Sequence, residues 1–200
     1  MPLKVLSPIR GANIYLWEIT ETTEELWNLN GMKENPGLEK LHNADHIKQN
    51  IAKSIILNKL ELASSLYKTA SGKPFLNNGL HISISHSGPW VAIAVAKFPV
   101  GIDVERPRKK LLKIAPKFLN AKDAGALRIK NENDLLWYWT GKESAYKLAG
   151  IPGLSLKEDI LFKELEKQEK TALISLKNQD PVKALYEILP GRSLLCLTFL

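Results

Sequence analysis

The sequence has a single cysteine and no apolar run of the roughly 20 residues that a membrane span requires. One thiol excludes an intramolecular disulfide and a cysteine-rich zinc site. Cys196 lies in the alternating apolar stretch SLLCLTFL, which is typical of a buried strand, so we interpret it as a structural thiol. The first residues also lack an apolar run of signal-peptide length. We therefore expect a soluble, cytoplasmic protein that has no membrane partner.

The charge of the chain favours anionic partners without choosing among them. The 200 residues carry a formal net charge of +7, and 44% of them are hydrophobic, which is enough for one large domain or two small ones with a real core. Such a charge favours nucleic acid, a phosphorylated small molecule or an acidic protein. Local motifs must decide between these classes.

Strand and helix patterns follow one another in a similar order in the two halves of the chain. The predicted elements are a strand at 13–19, a helix from Ala44 through the stretch ELASSLY, a hairpin of LHISIS and WVAIAVAKF joined by HSGP, the segment VGIDVE, a helix capped by Asn133 and ended by Gly150, and strands at TALISLK, KALYEIL and SLLCLTF. We predict an α+β fold of two similar α/β lobes in a pseudo-twofold arrangement, each with a small, mostly antiparallel sheet packed on a long helix. The predicted lobes are residues 1–100 and 101–200.

Two acids interrupt the otherwise apolar segment VGIDVE. In an extended chain Asp103 and Glu105 share one face, while the valines and isoleucine of the segment share the other. Neighbouring carboxylates repel one another unless a cation lies between them, and their oxygen atoms suit Mg²⁺. The alternative is an exposed strand edge whose acids pair with Arg106 and Arg108.

The helix near residue 140 carries a second candidate group. Trp139, Glu143 and Lys147 recur every four residues and therefore lie on one helical face, where they can close a site. The alternative is an ordinary Glu–Lys pair on a solvated face, with the tryptophan in the core.

The stretch ISISHSG combines hydroxyl groups, turn backbone and an imidazole at Ser85 and His86, which can all bind a phosphate. The alternative is an ordinary turn. A hydrolase is disfavoured because no G-x-S-x-G elbow is present. Neither TASGKPF nor WTGKES has the glycine spacing of a P-loop.

Four segments together resemble the 4′-phosphopantetheinyl transferases. They are SGKP at 71–74, ISISHSGPWVAIAV at 82–95, GIDVE at 101–105 and WTGKESAYKLAG at 139–150, in that family's order. The chain length is similar to that of the larger, pseudo-dimeric class, which activates carrier proteins of peptide and polyketide synthases. The resemblance implies transfer of the 4′-phosphopantetheine arm of coenzyme A to a serine of an apo acyl or peptidyl carrier protein, with release of adenosine 3′,5′-bisphosphate. The pathway, whether fatty acid, polyketide or nonribosomal peptide synthesis, stays open.

The resemblance also implies roles for residues of the second lobe. Asp103 and Glu105 would bind Mg²⁺, and Glu143 would complete the metal site or act as base toward the serine hydroxyl. Lys147 would neutralise phosphoryl oxygens. Lys142 would support the site from the same helix as a coenzyme A-binding residue.

The first lobe would hold the adenine and phosphate side of coenzyme A. Ser85 and His86 would contact phosphates, and Lys73 and Pro74 would line the adenine pocket. The family often has an arginine on the first long helix for the 3′-phosphate, and this helix has none. Our candidates for that role are Lys48 and Lys53.

The basic run RPRKKLLKIAPKF at 106–118 is expected to form an amphipathic helix. It is either a solvated face or a docking surface for the carrier protein, which is typically acidic. Two other classes remain as alternatives, a basic nucleic-acid-binding module and a catalytically inactive relative. The first lacks a helix-turn-helix signature, zinc-finger spacing and aromatic platforms for bases. We therefore expect no nucleic-acid partner, and a monomer if both lobes lie in one chain.

Overall fold

The computed structural model describes residues 3–31 and 43–200. Residues 1–2 and 32–42, which belong to the predicted first lobe, lie outside the described residues. No helix within the described ranges is long and apolar enough to cross a membrane.

The chain forms fifteen helices and strands within these ranges, joined by three single turns of 3-10 helix. In chain order they are β1 (Leu3–Ile9), β2 (Ala12–Glu18), α1 (Thr23–Leu29), α2 (Ala44–Lys59), β3 (Leu66–Lys68), β4 (Pro74–Leu76), β5 (His81–Ser87), β6 (Trp90–Ala96), β7 (Val100–Glu105), α3 (Lys110–Phe118), α4 (Glu132–Ala149), β8 (Ile160–Glu166), β9 (Thr171–Leu176), β10 (Val182–Leu189) and β11 (Ser193–Phe199).

The strands form two larger antiparallel sheets and one small hairpin. The first sheet has the order β1-β2-β6-β5, the second has the order β7-β11-β10-β9-β8, and β3 pairs with β4. All of the paired strands are antiparallel. This bears out the predicted α+β class with antiparallel sheets, while the pseudo-twofold relation of the lobes and their boundaries stay predictions.

The two sheets pack face to face and each is covered by a helix on its outer side. Every residue of β6 is buried, as its apolar pattern on both faces requires. Its valines and Ile93 pack against α2, whereas Trp90 and the alanines pack against apolar residues of β7 and β11. On the far side of the second sheet, α4 contributes Leu136, Ala145 and Leu148 to a third core cluster. The molecule therefore has the layer order α2, first sheet, second sheet, α4.

Two glycines let α4 lie close to the second sheet. A Cβ atom at Gly101 of β7 would overlap the carbonyl oxygen of Ser144 and lie 2.9 Å from the backbone nitrogen of Leu148. A Cβ atom at Gly141 of α4 would overlap the Tyr186 hydroxyl. Glycine at both positions is needed because no side chain fits between the helix and the strands.

The structure corrects several predicted boundaries. Helix α2 ends at Lys59, well before the end of the predicted helix, since Glu61 adopts the left-handed region with φ of 56°. The β5–β6 turn consists of two residues rather than four, because Ser87 still pairs with Trp90. The side chain that caps α4 belongs to Asn131, which accepts hydrogen bonds from two backbone N–H groups, and not to Asn133. The basic run also becomes helical only from Lys110.

Candidate active site

The two lobes meet where β5 runs beside β7. One edge of β7 pairs with β11, so the N–H groups on its other edge need partners from elsewhere. Serine side chains of β5 supply them, because Ile102 N–H donates to the Ser83 hydroxyl over 2.9 Å and Val104 N–H donates to the Ser85 hydroxyl over 3.2 Å. These hydroxyls fix β5 against the acidic strand without a backbone ladder.

Asp103 lies at the centre of this junction and is buried. Its Oδ1 accepts a hydrogen bond of 2.7 Å from the Ser85 hydroxyl and one of 2.7 Å from Lys147 Nζ. Lys147 Nζ also donates to Ser85 Oγ over 3.0 Å and to the Ile102 carbonyl over 3.2 Å. The ammonium group of α4 is thereby held against the acidic strand.

Two carboxylate oxygens in this group have no hydrogen-bond donor among the described residues. They are Asp103 Oδ2 and Glu105 Oε2, and both are buried. Glu105 Oε2 lies 3.0 Å from an Arg108 guanidinium nitrogen, so charges attract there, although the two groups are not aligned for a hydrogen bond. Buried oxygens without donors are costly unless a further group satisfies them.

Both of these acids affect the pKa of Glu143. Burial and the charges of Asp103 and Glu105 raise the pKa of Glu143 to about 7, against the opposing effect of Lys147. Burial also raises the pKa of Glu105, the neighbouring Asp103 adds to that increase, and Ser87 and Arg108 oppose it. The surroundings of Glu105 and Glu143 therefore disfavour the charged forms of these two carboxylates.

These acids suit a divalent cation, although they do not form a closed cage. Among the described residues, no three His, Cys, Asp or Glu side chains are close enough to be counted as a metal-binding group. The two orphaned oxygens on β7 and the mutual repulsion of the acids still fit a hard cation bound by few protein ligands, which is how Mg²⁺ commonly binds beside phosphates. Asp103, Glu105 and Glu143 are the residues that can hold it.

A cluster of basic side chains lies on the first-lobe side of the site. The His86 ring lies 6.0 Å from the His46 ring of α2, centroid to centroid. Burial lowers the pKa of His86, and His46, Lys53 and Lys147 lower it further while Asp103 opposes them. Burial and Lys68 of the small hairpin lower the pKa of Lys53. Basic side chains from α2, β3, β5 and α4 therefore act on one region, and a bound anion there would favour the charged forms of His86 and Lys53.

A cavity of about 280 Å³ lies next to these cations, between the SGKP loop, β5 and the C-terminal end of α4. Lys73, Pro74 and Lys147 are among its lining residues. Lys73 Nζ donates to the Leu148 carbonyl over 3.0 Å and passes so close to Gly150 that a side chain there would collide with it. The loop that the sequence associated with adenine is thus attached to the end of α4.

Three candidate residues have surroundings that differ from the roles assigned to them. Lys142 is 0% exposed and pairs with Asp123, on a different side of α4 from Glu143, so it does not line the site. Lys48 donates to the Glu21 carbonyl and lines a separate cavity beside Arg106, because about 140° of helical rotation separates it from Lys53. The Ser85 hydroxyl is already occupied by protein partners.

The structure also brings in residues that the sequence analysis did not single out. His46 precedes Lys53 by two helical turns, and that spacing was a usable signal. Lys68 reaches the group through a three-residue strand that has no clear pattern of its own. Trp139 was left open between site and core, and it packs edge-on against Phe118 of α3 with 5.0 Å between ring centroids.

Fold and site together define an α+β protein of two antiparallel sheets, with an acidic group and a basic group where the sheets meet. The family model of the 4′-phosphopantetheinyl transferase superfamily matches residues 99–192, which include β7 and α4. The chain is 33% identical over 124 residues to the 4′-phosphopantetheinyl transferase gsp of Aneurinibacillus migulanus, covering 60% of this chain and 51% of the relative. It is 30% identical over 152 residues to the 4′-phosphopantetheinyl transferase Sfp of Bacillus subtilis strain 168, covering 70% of this chain and 67% of the relative.

The chain therefore belongs to the 4′-phosphopantetheinyl transferase superfamily. A third relative, a 4′-phosphopantetheinyl transferase of Bacillus subtilis, is 37% identical over 94 residues, which are 44% of this chain and 42% of the relative. The chain spans about half the length of the Aneurinibacillus relative and less than half of this third relative. The similarity to Sfp is consistent with the larger class to which the chain length pointed.

Proposed function

We propose that the protein transfers the 4′-phosphopantetheine group of coenzyme A to a serine hydroxyl of an acidic acyl or peptidyl carrier protein. The observation that carries this proposal is the convergence of Asp103, Glu105, Glu143 and Lys147 at the joint of the two sheets. Membership in the superfamily and the names of the relatives support the same reaction.

The proposed reaction breaks one phosphoanhydride bond and forms one phosphoester bond. The serine oxygen attacks the phosphorus atom that carries pantetheine, and the bond from that phosphorus to the oxygen of adenosine 3′,5′-bisphosphate breaks. Mg²⁺ held by Asp103, Glu105 and Glu143 would neutralise the pyrophosphate when bound. Glu143, whose pKa is about 7 in the metal-free protein, either completes this metal site or takes the serine proton. Lys147 lies beside Asp103, and its ammonium group would neutralise phosphoryl oxygens bound there.

The first lobe supplies the proposed coenzyme A contacts. His86, Lys53, His46 and Lys68 form the region that would hold its phosphates, since these side chains can all donate hydrogen bonds to anionic oxygens. The cavity beside Lys73 and Pro74 would take the adenine, because it combines apolar walls with an ammonium group.

The proposal also includes a partner for the basic helix. Helix α3 buries Leu111 and Phe118 and leaves its lysines exposed. Its positive charges are therefore accessible to a partner protein in the folded state. Complementary charge increases the rate of encounter with an acidic protein. The cytoplasmic location and monomeric state expected from the sequence stay predictions.

The experiment is incubation with coenzyme A, Mg²⁺ and a panel of apo acyl and peptidyl carrier proteins, followed by intact-mass spectrometry. A carrier that gains the mass of phosphopantetheine is the expected result. Glu143→Gln should slow that gain by about 100-fold or more, in line with the loss of a base. Glu169→Gln, an exposed acid in a turn, is the matched control and should keep the wild-type rate.

Two outcomes contradict the proposal. One is the absence of any mass gain on a panel that another member of the superfamily modifies in parallel. The other is salt-sensitive binding to nucleic acid together with no Mg²⁺-dependent binding of coenzyme A, which would favour the nucleic-acid-binding alternative.

A further inference from the structure

A buried ion pair lies behind the candidate active site. Lys142 Nζ of α4 lies 2.8 Å from Asp123 Oδ2, and both side chains are 0% exposed. Lys142 directly precedes Glu143, yet neither member of the pair contacts the acidic or the basic group of the site. The pair therefore needs an explanation of its own.

The pair joins four segments of the second lobe. The Asp123 carboxylate also accepts hydrogen bonds of 2.8 Å from the backbone N–H groups of Asn120 and Phe162. Lys142 Nζ donates a second bond of 3.0 Å to the Leu156 carbonyl. Helix α4, the loop after α3, the loop before β8 and the start of β8 are thus held by two charged groups.

A buried ion pair is a poor choice if stability alone is needed. Removing two charges from water is costly, and apolar side chains of similar size often stabilise a protein as well or better. What a pair with several directed hydrogen bonds supplies is one defined geometry, because each donor and acceptor fits in only one arrangement. The bonds from Asn120 and Phe162 make the Asp123 position especially well defined.

The geometry of α4 relates this pair to the acids. Successive residues point about 100° apart around a helix, so the rotation that places one side chain also places the next. Gly141 faces Tyr186 and Phe162 of the sheet, Lys142 faces Asp123, and Glu143 faces the acids of β7. The contacts of Gly141 and Lys142 fix the rotation of α4 about its axis, and this rotation sets the direction of the Glu143 side chain.

We propose that Lys142 and Asp123 are positioning residues that direct Glu143 toward Asp103 and Glu105 and thereby set the affinity of the site for a divalent cation. This inference rests on the proposed function, because it uses the same metal site. In this inference Lys142 orients α4 and does not contact coenzyme A, which differs from the role implied by the resemblance.

The test measures metal binding directly, by electron paramagnetic resonance of Mn²⁺ titrated into the full chain. Asp123→Asn removes the charge with little change of shape, and Asp123→Asn/Lys142→Met removes both charges. Both variants should bind Mn²⁺ at least 10-fold more weakly than the wild type. Their binding of coenzyme A without metal should weaken by a clearly smaller factor than their binding of Mn²⁺, since His46, Lys53, Lys68 and His86 belong to other elements.

Thr140→Val is the matched control, because Thr140 is also buried in α4 and bonds only within the helix. This variant should bind Mn²⁺ like the wild type. Folded pair variants that bind Mn²⁺ within twofold of the wild type would overturn the positioning role. So would an equal loss of metal and coenzyme A binding, or failure of both variants to fold, because either result would indicate a general structural role. A wild-type protein that binds no Mn²⁺ contradicts the proposed function itself, and with it this inference.

Discussion

At the scale of single residues, the charged carboxylate of Glu143 is unfavourable in the metal-free protein. Its carboxylate is surrounded by α4, by β7 and by two further acids, and the ammonium of Lys147 is engaged by Asp103. A group whose pKa is raised on folding binds its proton more tightly in the folded state than in the unfolded state. The folded protein is therefore favoured at low pH and loses that advantage as the proton leaves.

Glu143→Gln should reveal this effect. The pKa of Glu143 rises from 4.5 to about 7, so its contribution to stability is full below about pH 4.5 and is lost as the pH rises through 7. Without metal, the free energy of unfolding of the wild type should fall relative to the variant by up to about 3 kcal/mol between pH 4.5 and pH 8. Urea unfolding at a series of pH values measures the difference. A difference that stays constant with pH would contradict the electrostatic description of Glu143.

Ser83 and Ser85 form a natural matched pair. Both hydroxyls accept a backbone N–H group of β7, but only Ser85 also donates to Asp103. Replacement of either serine by alanine should cost about 1–2 kcal/mol, because a buried N–H group loses its acceptor. Only Ser85→Ala should also weaken Mn²⁺ binding and slow transfer, since Asp103 then depends on Lys147 alone. Stability by urea titration and transfer by mass spectrometry separate the two effects, and equal transfer rates for both variants would count against the role of Ser85.

At the scale of elements, the approach of α4 to β7 brings the second lobe's acids and Lys147 together. The approach depends on Gly101, where a side chain would overlap the Ser144 carbonyl of the helix. Ser144 also hydrogen-bonds to Thr198 and to the Cys196 carbonyl, so the helix is anchored on the neighbouring strand β11. The helix cannot move away without breaking these bonds.

Gly101→Ala should therefore destabilise the fold by about 3 kcal/mol, in the upper range for overpacked cores. It should also reduce transfer more than its stability loss explains, because Glu143 and Lys147 would be displaced from Asp103. Gly153→Ala is the control, since nothing lies within 4 Å of the added methyl group, although its φ of +84° costs some stability. Calorimetry and the transfer assay measure both variants. A Gly101→Ala protein as stable as the control would show that the helix has room to shift.

Sequence patterns were sufficient for the elements with strict periodicity. The strands β5, β6 and β7 and the helix α4 were predicted close to their observed ranges, whereas the burial of Ser83 and Ser85 on the polar face of β5 was not predicted. Strand β8 was missed because ILFKELE mixes charges with apolar residues around a register shift. Helix α1 was missed because it is only seven residues long, although Thr22 and Glu25 form a capping box that could have indicated it.

The site was predictable to the extent that its residues share one element. Strand alternation predicts that Asp103 and Glu105 share one face of β7. Helical spacing predicts that Glu143 and Lys147 share one face of α4. The partners that come from distant parts of the chain did not follow, such as Asp123 for Lys142. Those pairings depend on how loops fold back on the helix, which local periodicity does not encode.

At the scale of the whole molecule, the positive charge is not spread evenly. Lys53 and Lys68 lie with His46 and His86 beside the site, whereas α3 presents its lysines to solvent. Charges that face inward attract a small anion, while exposed charges act on a protein partner over a distance set by the salt concentration. The two sets should therefore respond differently to mutation and to salt.

Charge reversal on α3 separates the two sets. Lys109→Glu, Lys110→Glu and Lys113→Glu together should raise the KM for an acidic carrier protein by about 10-fold or more at low salt, since each exposed charge contributes to steering the encounter. The KM for coenzyme A should stay unchanged. Lys4→Glu, Lys97→Glu and Lys183→Glu change the net charge equally at exposed positions elsewhere and serve as the control.

The salt dependence of the same kinetics distinguishes docking from a general effect of net charge. Screening lengths shrink to about 8 Å at physiological ionic strength, so the difference between the α3 variant and the wild type should narrow as salt is added. The control variant should follow the wild type throughout, because its charges lie outside the docking surface. If both triple variants raise the KM for the carrier equally, total charge and not α3 attracts the partner, and the basic run is a solvated face.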